Sequence, residues 1–544
     1  MKGEVIMTIG EKIAKKRNEL GLSQEAFAEK ISVSRQAVSK WEMDQALPQL
    51  DKIMQICKLF SITADELLDT TTSEDEIKKE KNKYFGTDGF RGEANKELTS
   101  IHAYKIGRFL GWYFSSELSG CKKSNYRPRI VVGKDTRRSS YMLEYSIAAG
   151  ITASGADAYM LHVTTTPSVS FVTRQDEFDC GIMITASHNP FYDNGIKVIN
   201  KYGEKINDET TALIEAYLDN DMESLGVFSS DLPFAKKERI GCIIDYVAGR
   251  NRYLGYLISI ASHSYKNLKI GLDCANGASW MLANALFSAL GAQTYLTGVS
   301  PDGLNVNEGC GSTHIENLTK LVKQEHLDVG FAFDGDADRC IAIDENGNIV
   351  DGDGILYILG QRLAERGILN NNTIVATIMS NSGLIESLKK EGINCVQTTV
   401  GDRFVYECMQ DNDFCLGGEQ SGHIIVKKYA TTGDGLLTAI MIAEEMCERK
   451  KSLSSLCANL VLYPQYTKSV YVKNKKDAVS DPEIIKTVEE IKAKINGKGR
   501  VLIRESGTEP VIRVMVEAET YSKAESFTNE ILESIEKRGH KIEK

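Results

Sequence analysis

At residues 329–344 the chain reads V-G-F-A-F-D-G-D-A-D-R-C-I-A-I-D, two apolar runs around a loop in which Asp334, Asp336 and Asp338 take alternate positions. Three hard oxygen ligands at this spacing can converge on one divalent cation. An EF-hand is the rival reading, because Ile341 and Glu345 fall where such a loop wants an apolar residue and a bidentate glutamate. Arg339, however, stands at the EF-hand's glycine position, and the flanks F-A-F and C-I-A-I-D read as strands, not helices. Three carboxylates without a full cage suit Mg²⁺, which keeps open positions and takes a phosphate oxygen as a further ligand.

Runs of the same kind lie on both sides: R-I-V-V-G (129–133), G-I-M-I-T (181–185), K-I-G-L-D (269–273) and T-I-V-A-T-I (373–378). Their alternation with helical stretches predicts an α/β fold with mixed or parallel sheets. From about Tyr466, S-V-Y-V (469–472) and V-I-R-V-M-V-E (511–517) around helices read as a separate α+β domain. Upstream, residues 8–69 read as a compact set of short helices. Thr8 to Glu11 and Thr63 to Glu66 have capping-box spacing; Gly21 ends one helix, and Ser23 and Ser34 cap two more, over about 24–31 and 35–42. Ile13, Leu22, Phe27, Ile31, Val33, Val38 and Trp41 supply a miniature core, and the Ser32-Val33-Ser34 turn has the length of a helix-turn-helix. The polar, charged stretch T-T-T-S-E-D-E-I-K-K-E-K-N-K (70–83) reads as a linker.

A chain of 544 residues is too long for one core and, at roughly 150 residues per domain, implies three to four domains or more. With 42% hydrophobic and 26% charged residues it is a globular composition, and a net charge of −10 argues against a surface that tracks nucleic acid over its whole extent. The twelve cysteines include no C-x-x-C pair and suit buried thiols in a reducing compartment. No apolar signal core follows Met1, and every apolar run is broken well before about 18 residues, so a cytoplasmic protein without a membrane span is expected.

Three further loops carry chemistry. T-A-S-H-N-P (185–190) puts Ser187 at the end of an apolar strand, where a serine is expected to be exposed and fixed in direction, as a phosphoryl carrier needs; an ordinary strand-end turn is the alternative. G-E-Q-S-G-H (418–423) offers a carboxylate, a hydroxyl and an imidazole. R-E-S-G-T-E-P-V-I-R (504–513) combines hydroxyls, a glycine and two arginines, the donor set for a phosphate monoester.

These four motifs, in this order, resemble the α-D-phosphohexomutase superfamily from Lys83 to the C-terminus. Within it, the chain is most similar to the bacterial phosphoglucosamine mutase branch, through K-Y-F-G-T-D-G-F-R-G (83–92), S-H-N-P-F-Y-D-N-G-I-K (187–197), P-D-G-L-N-V-N-E-G-C-G-S-T-H (301–314) and G-E-Q-S-G-H. The phosphomannomutase and phosphoglucomutase branch usually has methionine at the place of Gln420 and lacks the C-G-S-T-H run. The resemblance implies three similar mixed α/β domains (83–240, 241–346 and 347–462) and a smaller α+β domain (463–544) around one cleft, preceded by the helical domain (8–69) and linker (70–82).

It also implies interconversion of glucosamine 6-phosphate and glucosamine 1-phosphate through a phosphate on Ser187 and a hexosamine 1,6-bisphosphate. One Mg²⁺ is held by Asp334, Asp336, Asp338 and that phosphate, Glu419 and Ser421 bind sugar hydroxyls, and Arg504, Ser506, Gly507, Thr508 and Arg513 grip the non-reacting phosphate. Arg91, Lys197 and His423 match positions of charge stabilisation or acid/base work. Two departures stand out: Glu505 where the resembling enzymes usually have proline, and Ala337 for a glycine, which matters if that position has φ > 0.

Segments L-S-Q-E-A-F-A-E-K (22–30) and V-S-R-Q-A-V-S-K-W-E (33–42) resemble the repressor-type helix-turn-helix family. That implies Gln24 on a DNA phosphate, Arg35, Gln36, Ser39 and Lys40 facing the major groove, and a homodimer for two half-sites. A docking module without DNA binding is the alternative, and a regulator whose mutase-like body senses sugar phosphate is the competing class for the whole chain.

Overall fold

The computed structural model describes residues 9–19, 22–31, 33–42, 48, 50–60, 83–116, 118, 126–505 and 510–542, which divide into two compact units, 1–83 and 84–544. In the first, helices α1 (Ile9–Glu19), α2 (Gln24–Lys30), α3 (Arg35–Glu42) and α4 (Leu50–Phe60) follow in order. Ser23 caps α2 by accepting from Ala26 N–H, and Ser34 accepts from Ala37 N–H at the start of α3. The expected core residues do cluster, joined by Ile56, Cys57 and Phe60 of α4, with Phe27 and Phe60 stacked at 5.3 Å. Glu42, at the end of α3, accepts from Arg17 of α1 (2.5 Å) and from Gln24 of α2 (2.8 Å), so one carboxylate ties three helices. The Thr8 and Thr63 capping boxes and the 70–82 linker lie outside the described residues.

The second unit holds four sheets in chain order. The first contains β1 (Phe85–Gly86), β2 (Gly89–Glu93), β3 (Arg129–Lys134), β4 (Asp157–Val163), β5 (Cys180–Ile184), β6 (Asp193–Asn200) and β7 (Ile243–Asp245), ordered β1-β2-β6-β5-β3-β4-β7. The second contains β8 (Lys269–Asp273), β9 (Gln293–Thr297), β10 (Val329–Phe333), β11 (Cys340–Asp344) and β12 (Ile349–Val350). In the third are β13 (Thr373–Thr377), β14 (Asn394–Thr398), β15 (Leu416–Gly418) and β16 (Ile424–Val426); in the fourth, all antiparallel, are β17 (Gln465–Tyr471), β18 (Val501–Glu505) and β19 (Val511–Glu517). Strand β7 pairs with β4 in the first sheet, although the boundary read at 241 assigns it to the next domain.

Each of the first three sheets joins parallel strands to an antiparallel hairpin: β5–β6, β10–β11 and β15–β16. The buried strands β5, β10 and β11 are continuous apolar runs, as strands covered on both faces must be. One hydrophobic cluster runs through all three layers, including Val131, Leu272, Phe331, Leu356 and Leu416, whereas the fourth sheet has its own core around Ile491, Val514 and Ile531.

In the first layer the Ser100–Tyr113 and Arg138–Ala153 helices approach through glycines, and a Cβ on Gly150 would stand 2.2 Å from the Tyr104 carbonyl oxygen. Gly150→Ala is therefore expected to cost about 1–3 kcal/mol through overpacking. Gly255→Ala, in a helix with nothing within 4 Å of the new methyl, is expected to gain roughly 0.5–1 kcal/mol. Urea unfolding midpoints check both; equal shifts for the two would contradict this packing account.

Candidate active site

All four chemistry-bearing loops fall at hairpin turns. Residues 185–192 join β5 to β6, 334–339 join β10 to β11, 419–423 join β15 to β16, and the β18–β19 turn carries the 504–513 motif. Ser506, Gly507 and Thr508 lie outside the described residues.

Ser187 has left-handed backbone (φ 52°) and is buried, not exposed as its strand-end position predicts, because the 334–339 loop packs over it. Its Oγ donates to Asp334 Oδ2 at 2.5 Å and lies 3.4 Å from His188 Nδ1. Its carbonyl oxygen accepts from Arg137 Nη2 and from Asn307 Nδ2, both at 2.9 Å. A Cβ on Gly335 would come within 2.5 Å of that oxygen, so only glycine allows this loop crossing. Ala337 does have positive φ (54°), so the condition for strain is met.

Carboxylate oxygens of Asp334, Asp336 and Asp338 lie within 4.8 Å of one another. Asp336 Oδ1 and Asp338 Oδ1 are buried without a hydrogen-bond partner, acceptors that a cation would satisfy. Burial, with Asp338 and Asp336 alongside, pushes Asp334 well above the usual carboxylate range. This donor set fits a hard divalent cation. Burial also works against ionised Asp338, but Lys197 and then His423 hold it well below that range.

Lys197 Nζ lies 2.9 Å from Asp336, 3.1 Å from Asp338 and 3.1 Å from Asp88. Burial opposes its charge, yet these three carboxylates hold it well above the usual lysine range. Arg91 pairs with Asp88 and reaches the Ala186 carbonyl. Burial, followed by Arg339 and Arg91, drops His188 to about 4, leaving it neutral near pH 7. Burial likewise opposes charging His423, but Asp338 lifts it to about 9. Gly433 N–H donates to His423 Nε2 at 2.9 Å, which requires a lone pair there and favours the neutral ring with its proton on Nδ1. These tendencies oppose, and the backbone donor, fixed by the fold, sets the tautomer.

His188 and Asp338 open from this cluster onto a cavity of about 970 Å³ walled by all four sheet domains, with Asp88, Arg91, Arg339, Asp402, Glu419, Ser421, His423, Arg504 and Arg513 on its surface. Arg504 and Arg513 stand directly opposite in the β18–β19 pairing, without a carboxylate partner among the described residues. Burial, then Arg513, lowers Arg504 below the usual arginine range. Two guanidiniums side by side are the donor set that a phosphate monoester requires.

Sequence reasoning passed over several residues of this site. Asp88, His188 and Asn307 stand inside motifs already quoted and were legible there. Arg137, Lys205 and Asp402 carried no local signal: Lys205 Nζ bridges Asp88 (2.9 Å) and Asp402 (2.7 Å), partners more than a hundred residues apart in the chain. In the helical unit, Gln36 and Lys40 are exposed, Ser39 is half-buried, and Arg35 pairs with Glu25 at 2.9 Å. Gln24, expected on a phosphate, instead donates to Glu42.

Models of the phosphoglucomutase/phosphomannomutase family match in four pieces: alpha/beta/alpha domain I at residues 82–224, domain II at 251–347, domain III at 351–463 and the C-terminal domain at 469–534. A helix-turn-helix model matches 13–67. The phosphoglucosamine mutase of Lachnospira eligens is 55% identical over 460 residues, 85% of this chain and 100% of that protein; that of Bacillus subtilis is 44% identical over 453 residues, 83% and 98%. Among solved structures, a phosphoglucomutase/phosphomannomutase family protein from Burkholderia thailandensis has the same fold at TM-score 0.67 and 22% identity, covering 84% of this chain and 98% of its own. Aspergillus fumigatus N-acetylphosphoglucosamine mutase, in complex with GlcNAc-6P and magnesium, aligns at TM-score 0.58 and 18% identity, covering 84% and 96%. No helix among the described residues is long and apolar enough to cross a membrane. From residue 84 onward, after an N-terminal helix-turn-helix unit, the chain belongs to the phosphoglucosamine mutase family of phosphohexomutases.

Proposed function

We propose that this chain interconverts glucosamine 6-phosphate and glucosamine 1-phosphate in the cytoplasm, through a phosphate carried on Ser187 and a hexosamine 1,6-bisphosphate that turns over in the cleft. The observation that carries the reading is the 2.5 Å contact of Ser187 Oγ with Asp334 within a buried aspartate cluster, beside a cavity that also presents Arg504 and Arg513. The identity to phosphoglucosamine mutases supports the amino sugar over glucose or mannose. So does Glu419 on the cavity wall, since an ammonium group gains from a carboxylate where a hydroxyl gains less.

In this reading Asp334, Asp336 and Asp338 hold Mg²⁺, which neutralises charge on the transferring phosphoryl oxygens. Lys197, held protonated by its three carboxylates, acts as a fixed counter-charge, not a base. Arg91, which shares Asp88 with Lys197, adds a second cation. Ser187 takes phosphate back with its hydroxyl proton already directed at Asp334 Oδ2. Glu419 accepts from Gly401 N–H at 3.1 Å, which fixes it for binding sugar hydroxyls together with Ser421. Arg504, Arg513 and the Ser506, Gly507 and Thr508 loop seat the phosphate that is not reacting. Binding and alignment thus supply most of the catalysis.

Mg²⁺-loaded, Ser187-phosphorylated protein is expected to turn over glucosamine 6-phosphate in preference to glucose 6-phosphate and mannose 6-phosphate. Ser187→Ala or EDTA should lower the rate by about a thousandfold or more. If protein verified as phosphorylated turns over none of the three sugars, the mutase reading fails and a sugar-phosphate-sensing regulator takes its place.

The helix-turn-helix match favours a second activity, DNA binding by α3 in a homodimer. The exposed Arg35–Glu25 pair is cheap to open, which frees Arg35 for a phosphate or a base edge beside Gln36, Ser39 and Lys40. Sequence selection at low salt should recover a site that Lys40→Ala and Gln36→Ala weaken about tenfold each. Recovery of no selective sequence, with or without sugar phosphate, makes the unit a docking module.

A further inference from the structure

A second cavity, of about 530 Å³, lies at the seam of the first two sheet domains and shares no lining residue with the catalytic cleft. Its cations are Arg138 and Arg250. Arg138 is exposed and has no carboxylate partner among the described residues; Arg250 is half-buried and spends one N–H on the Val163 carbonyl, at 3.2 Å. Burial, opposed only by Asp245, draws Arg250 below the usual arginine range. Of the acids nearby, Asp302 accepts from Leu304 N–H, Glu144 pairs with Lys134, and Asp245 lies 3.7 Å from His162. Trp280 adds one aromatic face and Tyr141 a second, the other side of the Tyr141 ring being covered by the Lys134 ammonium at 3.6 Å.

The walls of this cavity lead to the reactive serine. On one side Thr136 and Arg138 flank Arg137, whose guanidinium donates to the Ser187 carbonyl at 2.9 Å. The other side is Pro301, Asp302 and Gly303, at the head of the loop whose Asn307 donates to the same oxygen, also at 2.9 Å. Arg138 N–H joins the two walls by donating to the Gly303 carbonyl at 2.9 Å, and Thr136 Oγ1 donates to the Asn276 carbonyl at 2.6 Å. A ligand that draws the walls together or apart therefore moves both groups that fix the Ser187 backbone.

We propose that this cavity is a regulatory site for a nucleoside diphosphate, the two arginines taking the phosphates, Trp280 and Tyr141 stacking the base, and occupancy resetting Ser187 through Arg137 and Asn307. Planar guanidiniums favour phosphate oxygens, aromatic faces favour a planar ring, and the volume is that of a small-molecule pocket. ADP serves as the probe, with the full chain in EDTA and saturating glucosamine 6-phosphate filling the cleft. Equilibrium dialysis should then give one ADP per chain, bound at least tenfold more weakly by Arg138→Ala and by Arg250→Ala and with unchanged affinity by Arg513→Ala. Pyrophosphate should compete at least tenfold less well than ADP. In turnover assays with Mg²⁺, ADP should change kcat at least twofold in the wild type and not in Arg138→Ala. No saturable ADP binding, binding indifferent to both arginines, or pyrophosphate as tight as ADP would overturn the site. Binding without a change in kcat would overturn the coupling. The dialysis arm does not depend on whether the cleft is a mutase, because it reads occupancy alone.

Discussion

The Ser187–Asp334 contact is where the architecture converges, because it forms only if two hairpin turns from different sheets cross at backbone distance. The first turn is held from below, by Arg137 and Asn307 on the Ser187 carbonyl; the second passes above it at Gly335. Asp336 is fixed to the start of the Thr166–Gln175 helix, its carboxylate accepting from Thr166 Oγ1 at 2.5 Å and its carbonyl from Thr166 N–H at 3.0 Å. With a hydrophobic cluster running through three layers, Ser187 and the three aspartates belong to one packed body.

Repetition explains the cleft. Each layer ends its parallel strands in an antiparallel hairpin, and each hairpin turn carries one polar cluster: Ser187, the aspartates, then the Glu419 to His423 loop. The fourth sheet repeats the device with β18–β19 and its facing arginines, but on a separate core, and it meets the third layer through polar contacts such as Gln420–Gln465 (3.0 Å) and Ser382 N–H on the Glu517 carboxylate (3.0 Å). Charge follows the same division: Asp336 and Asp338 each keep a buried oxygen without a hydrogen-bond partner, and the arginine pair has no carboxylate partner among the described residues.

Much of this was legible in the sequence because hairpin turns are local. The strands flanking 334–339, the caps at Ser23 and Ser34 and the small helical core all follow from periodicity and turn chemistry over a few residues. What sequence could not supply was long-range. Ser187 reads as exposed because nothing in T-A-S-H-N-P announces that the 334–339 loop covers it. Lys205 and Asp402 look like ordinary surface charges until Lys205 is seen to bridge Asp88 and Asp402, and nothing near Gln24 in the chain announces its bond to Glu42. Strand β7 escaped the expected boundary for the same reason: its partner, β4, is some eighty residues upstream.

The central claim is that Ser187 Oγ is the phosphoryl carrier, and peptide mapping after incubation with radiolabelled glucose 1,6-bisphosphate and Mg²⁺ tests it most directly. The account predicts label on the single peptide containing Ser187, removed again by unlabelled glucosamine 6-phosphate with release of labelled hexosamine bisphosphate. Label on another residue, or label on Ser187 that no sugar phosphate discharges, would contradict it.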